Sequence, residues 1–326
     1  MTHQKYATDY HAPVLVNEVL HWLDVQPGRI FLDGTAGGGG HCEAILEASF
    51  PDGKVIALDR DQEAIAESTK RLTGYGDRFQ IYRRNYSEAS QVLAQLQHRA
   101  VDGWLVDAGV SSHQLDEPTR GFSFQSEGPL DMRMGDTGQT AGDFLDSTDQ
   151  QELARVLKVY GEVNGAWRIA GAILEARGQG RLETTKDLAE LMEAISPPRY
   201  HKKARSIHPA TLVFQGLRIK VNEELEHLEE AVRQIPQVVT PGGRAVFISF
   251  HSLEDRIIKH GFRTLEDPCT CPPGLPRCGC GAVPMVEVLT RRPVMAKDAE
   301  NQVNPRARSA KLRAVRVLTK EERESL

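Results

Sequence analysis

The sequence is poor in cysteine and in aromatic residues, and it has no long apolar run. Five cysteines among 326 residues are too few for a secreted scaffold held together by disulfides. No apolar stretch approaches the roughly 20 residues that a membrane-spanning helix needs. The first residues also lack the apolar segment of a secretory signal. We therefore expect a soluble, cytoplasmic protein that does not enter a membrane.

Between residue 12 and about residue 108, short apolar segments typical of strands alternate with segments of helical periodicity. The first, second and fourth predicted strands end at Asp33, Asp59 and Asp107. Strands that alternate with helices form a parallel sheet covered on both faces. We therefore predict an α/β fold with acids at the carboxyl ends of its strands, where open sheets of this class bind their ligands.

The alternation breaks after residue 109. Residues 109 to about 140 are loop-like, residues 143 to about 195 have helical periodicity, and one long helix is predicted over 210–235. A buried strand is predicted over 242–250, and two β-like segments, 285–290 and 311–319, come last. The simplest organisation is a core of residues 1–114 and 211–326 that carries a mostly helical insertion, residues 115–210.

A glycine-rich loop, "LDGTAGGGGH", follows the first predicted strand and leads into a helix. Such a loop lets backbone N–H groups approach a ligand. Asp59 follows about twenty residues later, where an acid can bind ribose hydroxyls. This pattern alone allows a nicotinamide-dependent oxidoreductase, a methyltransferase, or a tight turn without a ligand.

Three details favour S-adenosylmethionine over a dinucleotide. Asp33 would repel a pyrophosphate, whereas the methionine part of S-adenosylmethionine carries a positive charge. The loop fits D-x-T-x-G-x-G, with Asp33, Thr35, Gly37 and Gly39, better than it fits G-x-G-x-x-G. Asp107 ends an apolar strand and is followed by small residues that leave room for a substrate.

Several blocks together resemble the bacterial small-subunit ribosomal RNA cytosine N4-methyltransferases. The blocks extend from about residue 11 to residue 316 and include "DGTAGGGGH", "DAGVSSHQLD", "GPLDMRM", "ISFHSLEDR" and "NPRARSAKLRA". The resemblance implies a Rossmann-like class I methyltransferase sheet with an inserted, mostly helical substrate-recognition domain. It implies methyl transfer from S-adenosylmethionine to the N4-amine of one cytosine in the decoding region of 16S rRNA. The substrate is either free rRNA or, as we expect, rRNA within the small ribosomal subunit. The resemblance and the large insertion together lead us to expect a homodimer.

The resemblance also assigns site residues. Tyr86 stands where the family often has phenylalanine, and its ring keeps the ability to stack on adenine. The positions that match the family's cofactor contacts are Gly39, Gly40, His41, Asp59, Tyr86, Asp107 and Gln114.

Methylation of an exocyclic amine needs the nitrogen held in line with the methyl group. Asp107 is the predicted catalytic acceptor for the amine hydrogens. The segment "SFHSLEDR" follows the fifth strand, so Ser249, His251 and Ser252 are predicted to flank the base, with His251 as a second catalytic candidate. The alternative for His251 is a structural hydrogen bond within its turn.

The target base must leave its stack, and two clusters of cations are candidates to hold the RNA phosphates. Residues 199–208 contain four Lys/Arg and no acid, and residues 301–319 contain five and no acid. Phe122 and Phe124 either stack a base or pack in the core.

Four cysteines lie close together, Cys269, Cys271, Cys278 and Cys280. Such a group can bind zinc, stay as reduced thiols in a loop, or form an adventitious disulfide. The resemblance implies no metal, and we assign no metal ligand. Two other functions also stay open: an amino-methyltransferase acting on DNA or another RNA, and a non-catalytic RNA-binding module.

Overall fold

The computed structural model describes residues 5–8, 10, 12–195, 208–272 and 279–325. The chain divides into two compact units. The first comprises Met1–Gly109 and Leu225–Leu326, and the second comprises Val110–Glu224.

The strands and helices have the following bounds in the described ranges. The strands are β1 (Ile30–Asp33), β2 (Lys54–Asp59), β3 (Phe79–Arg83), β4 (Val101–Asp107), β5 (Val239–Ser249), β6 (Val286–Val288), β7 (Val294–Met295) and β8 (Lys311–Val317). The helices are α1 (Val16–Leu23), α2 (Gly40–Ala48), α3 (Gln62–Leu72), α4 (Ala89–Gln95), α5 (Ser112–Asp116), α6 (Ala141–Ser147), α7 (Gln150–Val159), α8 (Ala166–Gly178), α9 (Thr185–Ile195), α10 (Pro209–Asn222), α11 (Glu224–Val238), α12 (Ser252–Glu266), α13 (Asp298–Val303) and α14 (Lys320–Glu324).

The first unit is built on one eight-stranded sheet. Its order is β3-β2-β1-β4-β5-β8-β6, with β7 paired to β8. Strands β1 to β5 are parallel, and β8 runs antiparallel to β5, β6 and β7. The order 3-2-1-4-5 is that of a Rossmann sheet, in which ligands bind where the strand order reverses, here between β1 and β4. The predicted α/β, Rossmann-like fold is confirmed.

Both faces of this sheet are buried because its strands alternate their side chains between two apolar clusters. Leu32, Trp104 and Phe247 belong to one cluster. Their chain neighbours Phe31 and Leu105 belong to the other. A strand that is covered on both faces consists of a continuous run of apolar residues. For this reason the segments that end in Asp33 and Asp107 could be identified as strands from the sequence.

The second unit is mostly helical and contains α5 to α10. Its bounds differ from the predicted insertion, 115–210, because α10 packs against α7 and α9 and so belongs entirely to this unit.

The predicted long helix over 210–235 is wrong. The chain forms α10 and α11 instead, and Glu223 between them adopts a left-handed conformation with φ of 51°. A residue in that conformation ends an α-helix. The two last β-like segments are confirmed as β6 and β8, whereas β7 and α13 were not predicted from the sequence.

No helix within the described ranges has both the length and the apolar character needed to cross a membrane.

Candidate active site

Asp33 lies at the carboxyl end of β1 and is fully buried. Its carboxylate accepts hydrogen bonds from the Thr35 backbone N–H at 3.0 Å and from the Cys42 thiol at 3.1 Å. Burial raises the pKa of Asp33 to about 6, and the nearby His41 partly opposes that rise. Burial also raises the pKa of the Cys42 thiol well above its ordinary value. Cys42 therefore keeps its proton, and Asp33 is mostly ionised at pH 7.

Asp59, at the end of β2, fastens the glycine loop to the sheet. One carboxylate oxygen accepts the Gly37 N–H at 2.8 Å, and the other accepts the Asp61 N–H at 2.9 Å. Burial raises the pKa of Asp59 to about 6, and these two hydrogen bonds moderate the rise. Each carboxylate oxygen has a second lone pair, so these contacts leave Asp59 able to accept a hydroxyl of a ligand.

Asp107 ends β4 next to the glycine loop. Its backbone N–H donates to the Thr35 hydroxyl at 2.8 Å, and that hydroxyl lies 3.4 Å from the Asp33 carboxylate. Thr35 therefore connects two of the three acids. The carboxylate oxygen Oδ1 of Asp107 is buried and has no hydrogen-bond partner among the described residues.

His41 lies against Asp107. Its imidazole is 5% exposed, and its Nε2 is 3.5 Å from Oδ2 of Asp107. Neither ring nitrogen has a hydrogen-bond partner among the residues that the structure describes. Buried polar atoms are nearly always hydrogen-bonded in proteins. This buried pair, with three polar atoms left over, has the character of a binding site for a ligand with polar groups.

The glycines of the loop have different roles. The Gly39 N–H donates to the Ala36 carbonyl, so it is engaged within the loop. A Cβ on Gly40 would lie 2.7 Å from the Pro13 ring, so Gly40 is required by close packing. Gly37 has φ of 50°, and no heavy atom of the described residues beyond its chain neighbours lies within 4 Å of where a Cβ would stand. The open side of the loop is therefore at Gly37.

Tyr86 is held at the same edge by a one-turn helix that follows β3. Asn85 caps that turn by accepting the Ser87 N–H. A Cβ on Gly34 would lie 2.7 Å from the Tyr86 Cβ, so the glycine after β1 allows Tyr86 to approach the loop. The structure therefore brings Tyr86, Asp59, His41 and Asp107 to the carboxyl edge of one sheet.

The segment after β5 reaches the same edge. Asp107 pairs with Ile248 in the sheet, and a Cβ on Gly109 would lie 2.8 Å from the Phe250 ring. His251 follows directly and caps α12: its Nδ1 accepts the Glu254 N–H at 3.4 Å, and its Nε2 is 3.1 Å from a Glu254 carboxylate oxygen. These contacts match the structural alternative for His251.

Glu254 is a residue that the sequence reasoning missed. It is 2% exposed and accepts the backbone N–H groups of Phe250 at 2.7 Å and His251 at 3.2 Å. The sequence does contain a pattern that predicts this role, because a glutamate three residues after an N-cap residue is typical of a capping box. Ser249 does not flank a base, since it is fully buried and its hydroxyl donates to the Lys311 carbonyl at 3.4 Å.

The structure pairs Arg313 and Arg316, two of the five cations in the predicted RNA-binding cluster of residues 301–319, with acids. Arg313 is 5% exposed and lies 2.7 Å from Asp255. Arg316 pairs with Glu287 and Glu322, each at 2.9 Å. β8 is an interior strand, so its cations meet acids of neighbouring elements. Arg308 is the exposed arginine of this segment. The other predicted cluster, 199–208, lies outside the described residues except for its last residue.

The predicted residues of the second unit have local roles in the structure. Gln114 is buried and completes a capping box with Ser111 at the start of α5. Phe122 is 6% exposed. Phe124 packs edge-on against Phe214, with 5.1 Å between ring centroids. Phe122 is therefore buried, whereas Phe124 is partly exposed and base stacking by its ring stays a prediction.

The chain matches the model of the MraW methylase family over residues 8–318. Three curated relatives carry the name ribosomal RNA small subunit methyltransferase H. The protein of Syntrophotalea carbinolica is 50% identical over 309 residues, covering 94% of this chain and 98% of the relative. The protein of Geobacter sulfurreducens is also 50% identical, with coverage of 94% and 99%. The protein of Anaeromyxobacter sp. (strain K) is 51% identical over 311 residues, with coverage of 94% and 98%.

A solved structure described as a putative rRNA-methylase from Clostridium thermocellum aligns with a TM-score of 0.43 at 11% identity. It covers 93% of this chain and 95% of that one. Similarity at this level does not bear on the function.

Proposed function

The chain belongs to the MraW methylase family, and from that premise we propose that it methylates the N4-amine of one cytosine in 16S rRNA, with S-adenosylmethionine as the methyl donor. The structural observation that carries the proposal is the set of strand-end acids, Asp33, Asp59 and Asp107, around the glycine loop. The Thr35 hydroxyl accepts the Asp107 backbone N–H at 2.8 Å and lies 3.4 Å from the Asp33 carboxylate. All three acids end strands at the edge where a Rossmann sheet binds its ligand. A site of such negative charge favours a cationic cofactor over a dinucleotide.

The residues present fit S-adenosylmethionine. The open side of the loop at Gly37 allows close approach of the cofactor, and Asp59 has lone pairs left for its ribose hydroxyls. Tyr86 offers a ring for the adenine, and the partnerless nitrogens of His41 can bond its polar groups. Gly39, Gly40 and Gln114 stay predicted contacts. The bound cofactor supplies an electrophilic methyl group.

Asp107 is the residue that we assign to the chemical step. Its Oδ1 is buried and has no hydrogen-bond partner within the described ranges. Accepting a hydrogen bond from the amine there would orient N4 and localise its lone pair. The bound cofactor would supply the methyl group and leave as S-adenosylhomocysteine, and Asp107 or solvent would take the proton that N4 releases. The other carboxylate oxygen, Oδ2, lies 3.5 Å from the His41 Nε2.

His251 stays a candidate whose observed role is to cap α12. Because Nδ1 accepts the Glu254 N–H, the neutral ring carries its hydrogen on Nε2. We propose that His251 and Glu254 together hold the turn after β5 beside Asp107. For the substrate, we propose 16S rRNA within the small ribosomal subunit. A cytoplasmic location and a homodimer are further proposals.

Binding of S-adenosylhomocysteine and of NADH, measured by calorimetry on the full chain, tests the cofactor assignment. We expect saturable binding of S-adenosylhomocysteine with one site per chain and no binding of NADH. Binding of NADH without binding of S-adenosylhomocysteine would refute the proposal. Methylation assays with 16S rRNA and with duplex DNA as substrates separate the proposed function from that of a DNA amino-methyltransferase.

A further inference from the structure

Three cysteine side chains converge in the segment between α12 and β6. The Sγ atoms of Cys269, Cys271 and Cys280 all lie within 4.8 Å of one another. Nothing in the methyl-transfer site uses these residues. Cys278, the other cysteine of this stretch, lies outside the described residues.

The spacing of the sulfur atoms suits a single metal ion. The Sγ atoms of Cys269 and Cys280 are 3.8 Å apart, nearly twice the length of a disulfide bond. Zinc binds thiolates at about 2.3 Å in a tetrahedron, and the edge of such a tetrahedron is about 3.8 Å. The observed separation therefore matches two thiolates on one zinc ion.

A backbone contact supports the same assignment. The Gly279 N–H donates to the Cys271 Sγ at 3.4 Å. Hydrogen bonds to the ligand atoms are the usual second shell of a metal site, because they stabilise the charge of the ligands. The backbone amide of Gly279 would therefore stabilise the charge of a Cys271 thiolate that binds a metal ion.

The described parts of this segment, 267–272 and 279–285, contain no helix or strand. Its ends are held together, because the Met285 N–H donates to the Leu265 carbonyl at 2.8 Å and the Val288 N–H donates to the Glu266 carboxylate at 2.9 Å. A metal ion held by Cys269, Cys271 and Cys280 would add a further link between the two described parts.

We propose that Cys269, Cys271 and Cys280 bind one structural zinc ion. The three thiolates would occupy three corners of the tetrahedron that zinc prefers, with a solvent molecule at the fourth, and soft thiolate ligands favour zinc over the harder divalent ions. Each thiol that binds loses its proton to solvent.

We assign the metal ion a structural role because the cysteines are remote from the carboxyl edge of the sheet, where the strand-end acids lie. α12 begins beside the carboxyl end of β5 and leads away from it, and Val286 at the start of β6 pairs with Val317 at the end of β8. Since β8 runs antiparallel to β5, with Arg316 beside Arg244, the cysteine segment lies at the amino edge of the sheet. The strand-end acids lie at the opposite edge.

Metal analysis of the full chain, purified without chelators and without a metal-affinity tag, tests the proposal. We expect one equivalent of zinc per chain, released by a mercurial reagent that reacts with thiols. The double variant Cys269→Ser/Cys271→Ser should lose the zinc, whereas Cys42→Ser, which changes a buried cysteine at the other edge of the sheet, should keep it. Cobalt(II) added to the metal-depleted protein should give thiolate-to-metal charge-transfer absorption that the double variant lacks.

A substoichiometric zinc content, one equivalent of iron instead, or zinc that persists in the double variant would each overturn the proposal. Binding of S-adenosylhomocysteine, measured on the same samples, should be the same for the wild type and the double variant. Because the two readouts are separate, a failed zinc site and a failed cofactor assignment cannot be confused.

Discussion

The imidazole Nε2 of His41 lies 3.5 Å from the carboxylate Oδ2 of Asp107. The first residue stands near the start of α2, and the second ends β4. Their approach depends on the pairing of β1 with β4, which places Asp33 beside Leu105. Both side chains are nearly buried, and Nδ1 and Nε2 of His41 and Oδ1 of Asp107 have no hydrogen-bond partner in the described part of the chain. This concentration of unused polar atoms marks the centre of the proposed site.

Asp107→Asn should lower the rate of methyl transfer by about 100-fold or more, because the amide is a weaker acceptor for the amine hydrogens. Binding of S-adenosylhomocysteine should persist. The matched control is Asp102→Asn at the other end of β4, where the side chain accepts the Ile30 N–H and the amide oxygen can still do so. A normal rate in Asp107→Asn, measured by incorporation of labelled methyl into rRNA, would show that the site is misplaced.

His41→Phe should weaken the binding of S-adenosylmethionine by about tenfold, because it removes ring nitrogens that would bond the cofactor. The variant fills a similar volume, so the free energy of unfolding should stay the same or rise as two partnerless polar atoms leave the interior. His21→Phe, at an exposed position of α1, serves as the control. If calorimetry finds normal affinity and the unfolding experiment finds lost stability, His41 is a packing residue.

The stability of the first unit should fall as the pH rises through about 6. The folded-state pKa values of Asp33 and Asp59 are raised to about 6, above their values of about 3.9 in an unfolded chain. Between these limits the native state binds more protons than the unfolded state, so deprotonation favours unfolding as the pH increases. This loss in the free energy of unfolding is absent below about pH 4 and complete above about pH 6.

Asp33→Asn tests this expectation. Relative to the wild type, its free energy of unfolding should improve by about 1 kcal/mol between pH 5 and pH 8, as measured by urea denaturation. Asp77→Asn changes a side chain that is 87% exposed and should show no such improvement. A pH-independent difference between Asp33→Asn and the wild type would contradict the assigned pKa shift.

Arg308→Gln and Arg313→Gln separate RNA binding from stability. Arg313 is buried against Asp255, and removing one partner of a buried ion pair costs about 3 kcal/mol. Arg313→Gln should therefore lower the free energy of unfolding. Arg308 is exposed, so Arg308→Gln should leave stability unchanged and weaken the binding of 16S rRNA in low salt. Equal RNA affinity for Arg308→Gln and the wild type would remove this segment from the RNA surface.

The sequence predicted the acids of the site because each follows an apolar strand, and the carboxyl ends of parallel strands share one edge. It could not predict that His41 meets Asp107, since that contact depends on the register of two distant segments. It misjudged Arg313 and Arg316 because a run of cations does not reveal acids that pair with it across the sheet. The end of α10 at Glu223 was also invisible, because neither glycine nor proline marks that position.

The central claim is tested most directly by nucleoside mass spectrometry of 16S rRNA from cells that lack this protein. The proposal predicts the loss of N4-methylation at one cytosine of the decoding region, restored by the wild-type protein and by Asp102→Asn, and not by Asp107→Asn. An unchanged cytosine methylation pattern in the cells that lack the protein would contradict it.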